Sequence, residues 1–412
     1  MIKRKPYGIS SELGEIETTT HKVETKGRVV YNSGEAFFEK TSSRERFKSN
    51  RYKELVLDFA TDTSTRKASS RLNRIRLEKA GISPTTYRNM VEREGMSIQA
   101  HIETKCEEAL IRNGFDNNGA LLDPAAFTPV PQQHIDQAAI ENAAINLNIW
   151  EYESSDYELP RESVNISIDD VGVKRQTEMR PKDAKQEQPK RVDNTIIHVQ
   201  SGRKSYILNA SSLFSCIKLL IGFLLCNGLS KKQIVIFADG ARDIHNAVHK
   251  MLGFLNYKII LDWYHLKKKF KEQLSMALKG SKIRNEFLDV LLPCLWFGNV
   301  DGAIKLLQNI DSKKVKNPDY IKGLIDYLER VRRNIPCYAL RKELGLRNSS
   351  NLGEKANDLV VSNRQKHNGM SWSNDGSLAF ASVASASFNS EINNWVHEHN
   401  INFLLTDLDD VA

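Results

Sequence analysis

The chain has 412 residues, 40% hydrophobic and 27% charged, an ordinary balance for a soluble protein with hydrophobic cores. At about 150 residues per domain, that length suggests two or three domains. The 59 Lys and Arg against 51 Asp and Glu leave a net charge of +8. The excess is concentrated: between Thr41 and Gly95 there are 13 basic and 7 acidic residues. Such a stretch suggests a polyanion, usually nucleic acid, although a solvated helical surface has the same composition. Cys106, Cys216, Cys226, Cys294 and Cys337 are scattered and form no C-x-x-C pair, which argues against a zinc ribbon or disulfide framework. Met1–Tyr7 lacks the apolar core of a signal peptide. Leu213–Leu225, interrupted by Ser215 and Lys218, is too short to span a bilayer. The expectation is an intracellular soluble protein with no membrane partner.

Residues 1–40 are polar, Thr-rich and Glu/Lys-rich, and read as a loosely ordered, flexible arm. From Tyr52 the period turns helical, with Leu55 and Phe59 four residues apart, Leu72 and Ile75 three apart, and Leu77 following. Thr63 and Ser64 can cap a helix bearing Arg66, Lys67, Arg71, Arg74 and Arg76. Gly81 then supplies a turn, Ser83 an N-cap and Pro84 a first helical position. A short second helix carrying Thr85, Thr86, Arg88 and Asn89 near its start completes a helix-turn-helix arrangement over 41–117, or a plain helical hairpin. Residues 118–160, with Pro124, Pro129 and Pro131, a short helix and the acidic run from Glu151, read as a linker.

From Val164 the residues alternate apolar with polar, as in a half-buried strand. Past a charged tract (Met179 to Asp193), Asn194–Gln200 and Lys204–Asn209 look like two further strands. Leu213–Asn227 fits a buried helix, Gln233–Ala238 a buried strand, Ala241–Leu252 a helix and Tyr257–Leu261 another buried strand. The fold class is therefore α/β: three antiparallel strands, helix, strand, helix, strand, a mixed sheet flanked by helices in the order of a ribonuclease-H-like core.

Two of these strands run into aspartates. Asp169 lies at the polar exit of the first, and Asp239, followed by Gly240, ends the fourth, where ligands of α/β sheets sit. An Asp-Gly turn is also an ordinary structural feature. Carboxylates on two neighbouring strands can hold Mg²⁺ or Mn²⁺ through hard oxygens. Asp170 competes with Asp169, because strand alternation turns only one of them toward such a site. A third carboxylate, Glu354, begins a helix with Asn357 and Asp358 on its face. On its own it reads as a capping residue.

Asp239-Gly-Ala-Arg, a helix, an apolar strand, then Asp262-Trp-Tyr-His-Leu-Lys-Lys-Lys-Phe resembles the second-aspartate region of DDE transposases. The similarity is to the Mutator-like group and related bacterial insertion-sequence enzymes. Asp169 five residues before Lys174, and Glu354 followed by Asn363-Arg-Gln-Lys-His-Asn-Gly-Met-Ser-Trp-Ser, resemble their first and third segments. Phe270–Leu344, helical in period, fits the all-helical insertion such enzymes carry before the Glu. The resemblance spans roughly Val164 to Trp395 and is specific as a set. It departs from many Mutator-like members in having Asp262 where they have Cys.

The resemblance implies a catalytic core over 161–269 and 346–400, an all-α insertion over 270–345 and a C-terminal tail over 401–412. It implies that Asp169, Asp239 and Glu354 hold two Mg²⁺ or Mn²⁺ ions about 4 Å apart for in-line displacement at phosphorus. The reaction would be cleavage of double-stranded DNA at transposon ends and strand transfer into target DNA. The partners would be those DNAs and a second copy in a homodimer or higher oligomer. The location would be the cytoplasm, on the nucleoid. The Lys174 spacing favours Asp169 over Asp170. His265 could contact the scissile phosphate or cap a strand–helix junction, and Asp262 lies near enough to be mistaken for a ligand. Lys267, Lys268, Arg364, Lys366 and His367 are expected on DNA backbone, with a solvated face as the alternative for the lysines. Trp296 and Trp372 read as core residues, and the cysteines as buried apolar side chains. Rival functions are a catalytically inactive, domesticated DNA-binding relic and a ribonuclease-H-like nuclease that does not transfer strands.

Overall fold

The structure, a computed structural model, describes residues 2–24, 30–32, 47–76, 81–123, 125, 127–128, 131–176, 189–366 and 370–407. Leu77, Pro124, Pro129, Met179 and His367 lie outside them.

The loosely ordered arm expected for 1–40 is corrected where it is described. Strands β1 (Ile2–Ser11) and β2 (Gly14–Glu24) pair antiparallel, with Ile9 opposite Ile16 and Gly14 turning the chain at φ 125°. Thr-rich alternating segments favour such pairing. β3 (Val30–Asn32) adds to β2, and β4 (Phe47–Lys48) runs parallel to β1.

Helices α1 (Asn50–Asp62), α2 (Thr65–Arg76) and α3 (Pro84–Arg112) follow. Ser83 caps α3 through Thr86 N–H, with Pro84 in the first turn. The Asn73 side chain both donates to Ile82 O (3.0 Å) and accepts from Ile82 N (2.8 Å), fixing the α2–α3 turn. The short second helix expected here is corrected, for α3 is 29 residues long. Val91, Ile98, Ile102 and Cys106 on its buried face join one core with the sheet's Ile166, Ile168 and Ile196. The segment 118–160 is likewise more than a linker. Its helix α4 (Gln137–Asn146) and Tyr157 pack on Leu340 and Leu346, and Glu158 forms a buried two-pronged ion pair with Arg341 at 2.6 and 2.8 Å.

The central sheet is mixed, in the order β10-β7-β6-β5-β8-β9. Its strands are β5 (Ser163–Lys174), β6 (Arg191–Ser201), β7 (Lys204–Ala210), β8 (Gln233–Ala238), β9 (Tyr257–Leu261) and β10 (Thr406–Asp407). The first three are antiparallel neighbours, whereas β5, β8 and β9 run parallel. β10 pairs with β7 and Phe403 is fully buried, so residues 401–407 complete the core rather than trail from it.

Helices cover both faces. Ile234 and Ile236 of β8 face the core shared with α3, α5 (Leu213–Cys226), α6 (Arg242–Leu252), α13 (Asn374–Phe388) and α14 (Ile392–Glu398). Val235 and Phe237 face a second core with α7 (Trp263–Ala277), α8 (Ser281–Trp296), α9 (Val300–Gln308) and α10 (Pro318–Val331). Burial of both faces explains the unbroken apolar run of β8. After α11 (Tyr338–Glu343), α12 (Asn351–Asn357) continues as a π-helix over Asp358–Lys366. Trp372 is buried, and Trp296 stacks on Tyr338 in the second core. Cys106 and Cys216 are buried, but Cys226 is exposed. No described helix is long and apolar enough to cross a membrane.

Candidate functional site: carboxylates at the carboxyl end of the sheet

Parallel pairing sets the site. Ser167 of β5 lies opposite Phe237 of β8, and each stands two residues before an aspartate. Two residues is one strand period, so Asp169 and Asp239 leave adjacent strands at the same end and on the same face. Asp170 turns the other way, is exposed, and accepts a hydrogen bond from the Thr195 hydroxyl.

Asp239 is held by its turn. Its Oδ1 accepts from Ala241 N at 2.8 Å, and Gly240 sits at φ 82°. A side chain there would be strained, and its Cβ would lie 2.8 Å from the Tyr327 hydroxyl of α10. Arg330, one turn further along α10, donates to the Gly240 carbonyl at 3.1 Å. The helical segment before Glu354 thus braces the aspartate's turn.

Glu354 is brought to β5 by a close backbone approach. A Cβ on Gly353 would lie 2.5 Å from the Ser167 Cβ, so only glycine lets α12 settle on β5 here. His265, in the first turn of α7, places Nε2 3.6 Å from Glu354 Oε1. Asp262 is 1% exposed and caps α7, its Oδ1 accepting from His265 N at 3.0 Å and its Oδ2 from Ser350 N. Both oxygens are thereby engaged in tying the start of α7 to the start of α12, which leaves Asp262 as a positioning group.

The electrostatics reflect crowding. Burial raises the Asp169 carboxyl to about 6, with His265 pulling it down and Asp239 and Asp170 pushing it up. Glu354 is also raised, by burial first, while His265 and Lys268 lower it and Asp262 and Asp358 raise it. Asn357, on the Glu354 face of α12, donates through Nδ2 to Asp169 Oδ2, and its buried Oδ1 has no partner among the described residues. Sequence reasoning noted Asn357 only as a neighbour of Glu354, and passed over Gly353. The three-residue spacing of Glu354 and Asn357 was the available clue. Among the described residues, no group of three or more His, Cys, Asp or Glu side chains is arranged to hold a metal ion.

The basic candidates divide. Arg66, Lys67, Arg71, Arg74, Thr85, Thr86 and Arg88 are exposed along α2 and the start of α3, as are Lys267, Lys268 and Lys366 elsewhere. Arg71 leans on Asp62 (3.6 Å), and Arg88 on Glu92 (3.6 Å). Arg364 is corrected. It is 3% exposed, its guanidinium 4.9 Å from the Phe380 ring centroid and 5.2 Å from that of Trp372, and its Nε donates to Ala60 O. The π-helix shifts the phase of its segment and turns this side chain inward.

No protein-family model matches the chain, and no curated protein matches it. What can be said of function therefore rests on these residues and their arrangement.

Proposed function

We propose that this protein is a DDE transposase with a ribonuclease-H-like core. The observation that carries the reading is the exit of Asp169 and Asp239 from β5 and β8 at one end and on one face, with His265 acting on Asp169 and lying 3.6 Å from Glu354. Supporting it, strands β5 to β9 follow the order 3-2-1-4-5 with only the second running against the other four, and a helical segment separates Asp239 from Glu354.

The donor set fits hard divalent cations. Burial, and then the Asp239 charge, raises the Asp169 carboxyl, and the orphaned Asn357 oxygen is a further hard donor beside it. Asp169, Asp239 and Glu354 would hold Mg²⁺ or Mn²⁺, which when bound supplies a stabilised oxygen nucleophile and charge neutralisation at a phosphodiester. The protein's own part is orientation. Asn357 fixes the Asp169 carboxylate, the Gly240 turn fixes Asp239, and the Gly353–Ser167 contact sets the reach of Glu354. His265 stands beside Glu354, where it can hold a proton or contact a phosphate oxygen. Exposed cations along α2, α3 and α7 offer duplex DNA a backbone track.

The absence of a preformed three-ligand group among the described residues favours a second reading, a DNA-binding relic without catalysis. One assay separates them: cleavage and joining of a labelled duplex carrying the element's ends in Mn²⁺, for wild type and Asp239→Asn. Metal-dependent nicking and a joined product, both lost in the variant, support the transposase. Nicking without joining supports a nuclease. End binding with no cleavage by either protein supports the relic.

A further inference from the structure

Beside the Asp239 turn, and separate from the carboxylates, α6, α7 and α10 enclose a cleft of about 250 Å³. Its lining includes Arg242, Lys269, Arg330, Tyr327 and Gly323, with Asp326 as its carboxylate. Three cations against one acid leave it positive. Among the described residues, Arg242, Lys269 and Arg330 form no ion pair within 4.0 Å. A cleft lined by one sign of charge focuses field lines and raises the local concentration of the opposite ion, here an anion.

Tyr327 organises the cleft. Its ring lies 4.5 Å from Lys269 Nζ and 5.3 Å from the Arg330 guanidinium, contacts that position both cations without neutralising them. Burial, and then the nearby Asp239 charge, keeps the phenol protonated. Arg330 spends one N–H on the Gly240 carbonyl and retains others. The cleft is therefore joined to the Asp239 turn through Arg330 and through the Tyr327 hydroxyl, which donates to Asp239 O at 3.5 Å, and a strand held at that aspartate would pass close by.

We propose that this cleft binds a backbone phosphodiester of the DNA strand engaged at Asp239, at a nucleotide flanking the reacting one. The inference rests on the transposase reading and deepens it: the helical insertion both braces the carboxylate turn and grips the same strand.

Gly323 provides the test. A Cβ there meets nothing within 4 Å, and the residue lies within α10, so Gly323→Ala and Gly323→Glu should both fold and favour the helix. Gly323→Glu sets a carboxylate in the cleft. Binding of the full-length protein to a labelled mixed-sequence duplex, in chelator, is followed by anisotropy over a range of salt. Gly323→Glu should weaken binding by about tenfold and reduce the salt slope by about 1, while Lys269→Gln lowers the slope similarly. Gly323→Ala should match wild type, as should Lys204→Gln on β7, across the sheet from the cleft. Equal affinity and slope for Gly323→Glu and Gly323→Ala, at equal thermal stability, would overturn the proposal, as would a wild type that does not bind the duplex. The cleavage assay in Mn²⁺ separates the two ideas. Cleavage with an indifferent Gly323→Glu removes the cleft alone, and a sensitive cleft without cleavage removes the transposase reading alone.

Discussion

Asn357 donates a hydrogen bond to the Asp169 carboxylate from a helix 188 residues further along the chain. The same helix carries Glu354, so one rigid element both supplies a carboxylate and orients another. Neighbours that orient metal-binding groups typically contribute 10- to 100-fold in metal affinity or activity. Asn357→Ala should raise the Mn²⁺ concentration for half-maximal cleavage by about tenfold. Unchanged metal dependence would show that Asp169 needs no such partner.

Gly353 makes a sharper case. Gly353→Ala drives a methyl against the Ser167 side chain, 2.5 Å from its Cβ, and displaces Glu354. Misplacement by about 1 Å can cost about 100-fold in rate. Single-turnover cleavage should fall by that order, and Ser167→Gly in the same protein should restore much of it. A double variant as slow as the single one would sink the steric account.

Arg364 is a buried cation with no acid paired to it within 4.0 Å among the described residues. Burial lowers its proton affinity to about 10. Arg364→Ala should cost about 2–4 kcal/mol in urea unfolding through the cavity it opens between Trp372 and Phe380. Arg364→Met, which keeps the packing and removes the buried charge, should be near neutral or stabilising. Neither should change the salt slope of DNA binding; a slope lowered by about 1 in Arg364→Met would place the side chain on DNA instead.

The strands and the two aspartates were legible because period-2 alternation and an Asp after an apolar run survive folding unchanged. Other features were hidden for identifiable reasons. The length of α3 was hidden because Gly95, a weak helix former, lies inside it, where its missing Cβ lets the Ala379 carbonyl approach. Arg364 looked like a surface cation because an α-helical period was assumed across a π-helical segment. Glu354 resembled a capping residue, and its partner His265, like the Ser167 that meets Gly353, is distant in sequence. The hairpin of β1 and β2 carries few large apolar residues, so its Thr-rich alternation was read as absence of order.

His198, on β6, is 2% exposed, and burial lowers its pKa to about 4, with Arg347 adding to the shift. The unfolded chain binds this proton near pH 6.5, the folded chain only near 4. Its contribution is therefore whole above about pH 6.5, declines as pH falls and is gone below about 4, a change of about 3 kcal/mol. Between pH 7 and pH 4 the wild type should lose about 3 kcal/mol of urea stability relative to His198→Leu. A difference independent of pH would mean that the folded protein accommodates the imidazolium.

The packing of α3 on α13 also sets a timetable for synthesis. Ser382 donates to Gln99 across 283 residues, so α3 emerges from the ribosome long before its partner exists. At about 5–20 residues per second, its apolar face waits on the order of 15–60 s. During that interval the nascent chain exposes the surface that later becomes the centre of the protein, and it needs a chaperone or slow collapse onto α5 to stay in solution. Production in cells should consequently depend on translation rate and temperature more steeply than the finished fold would suggest.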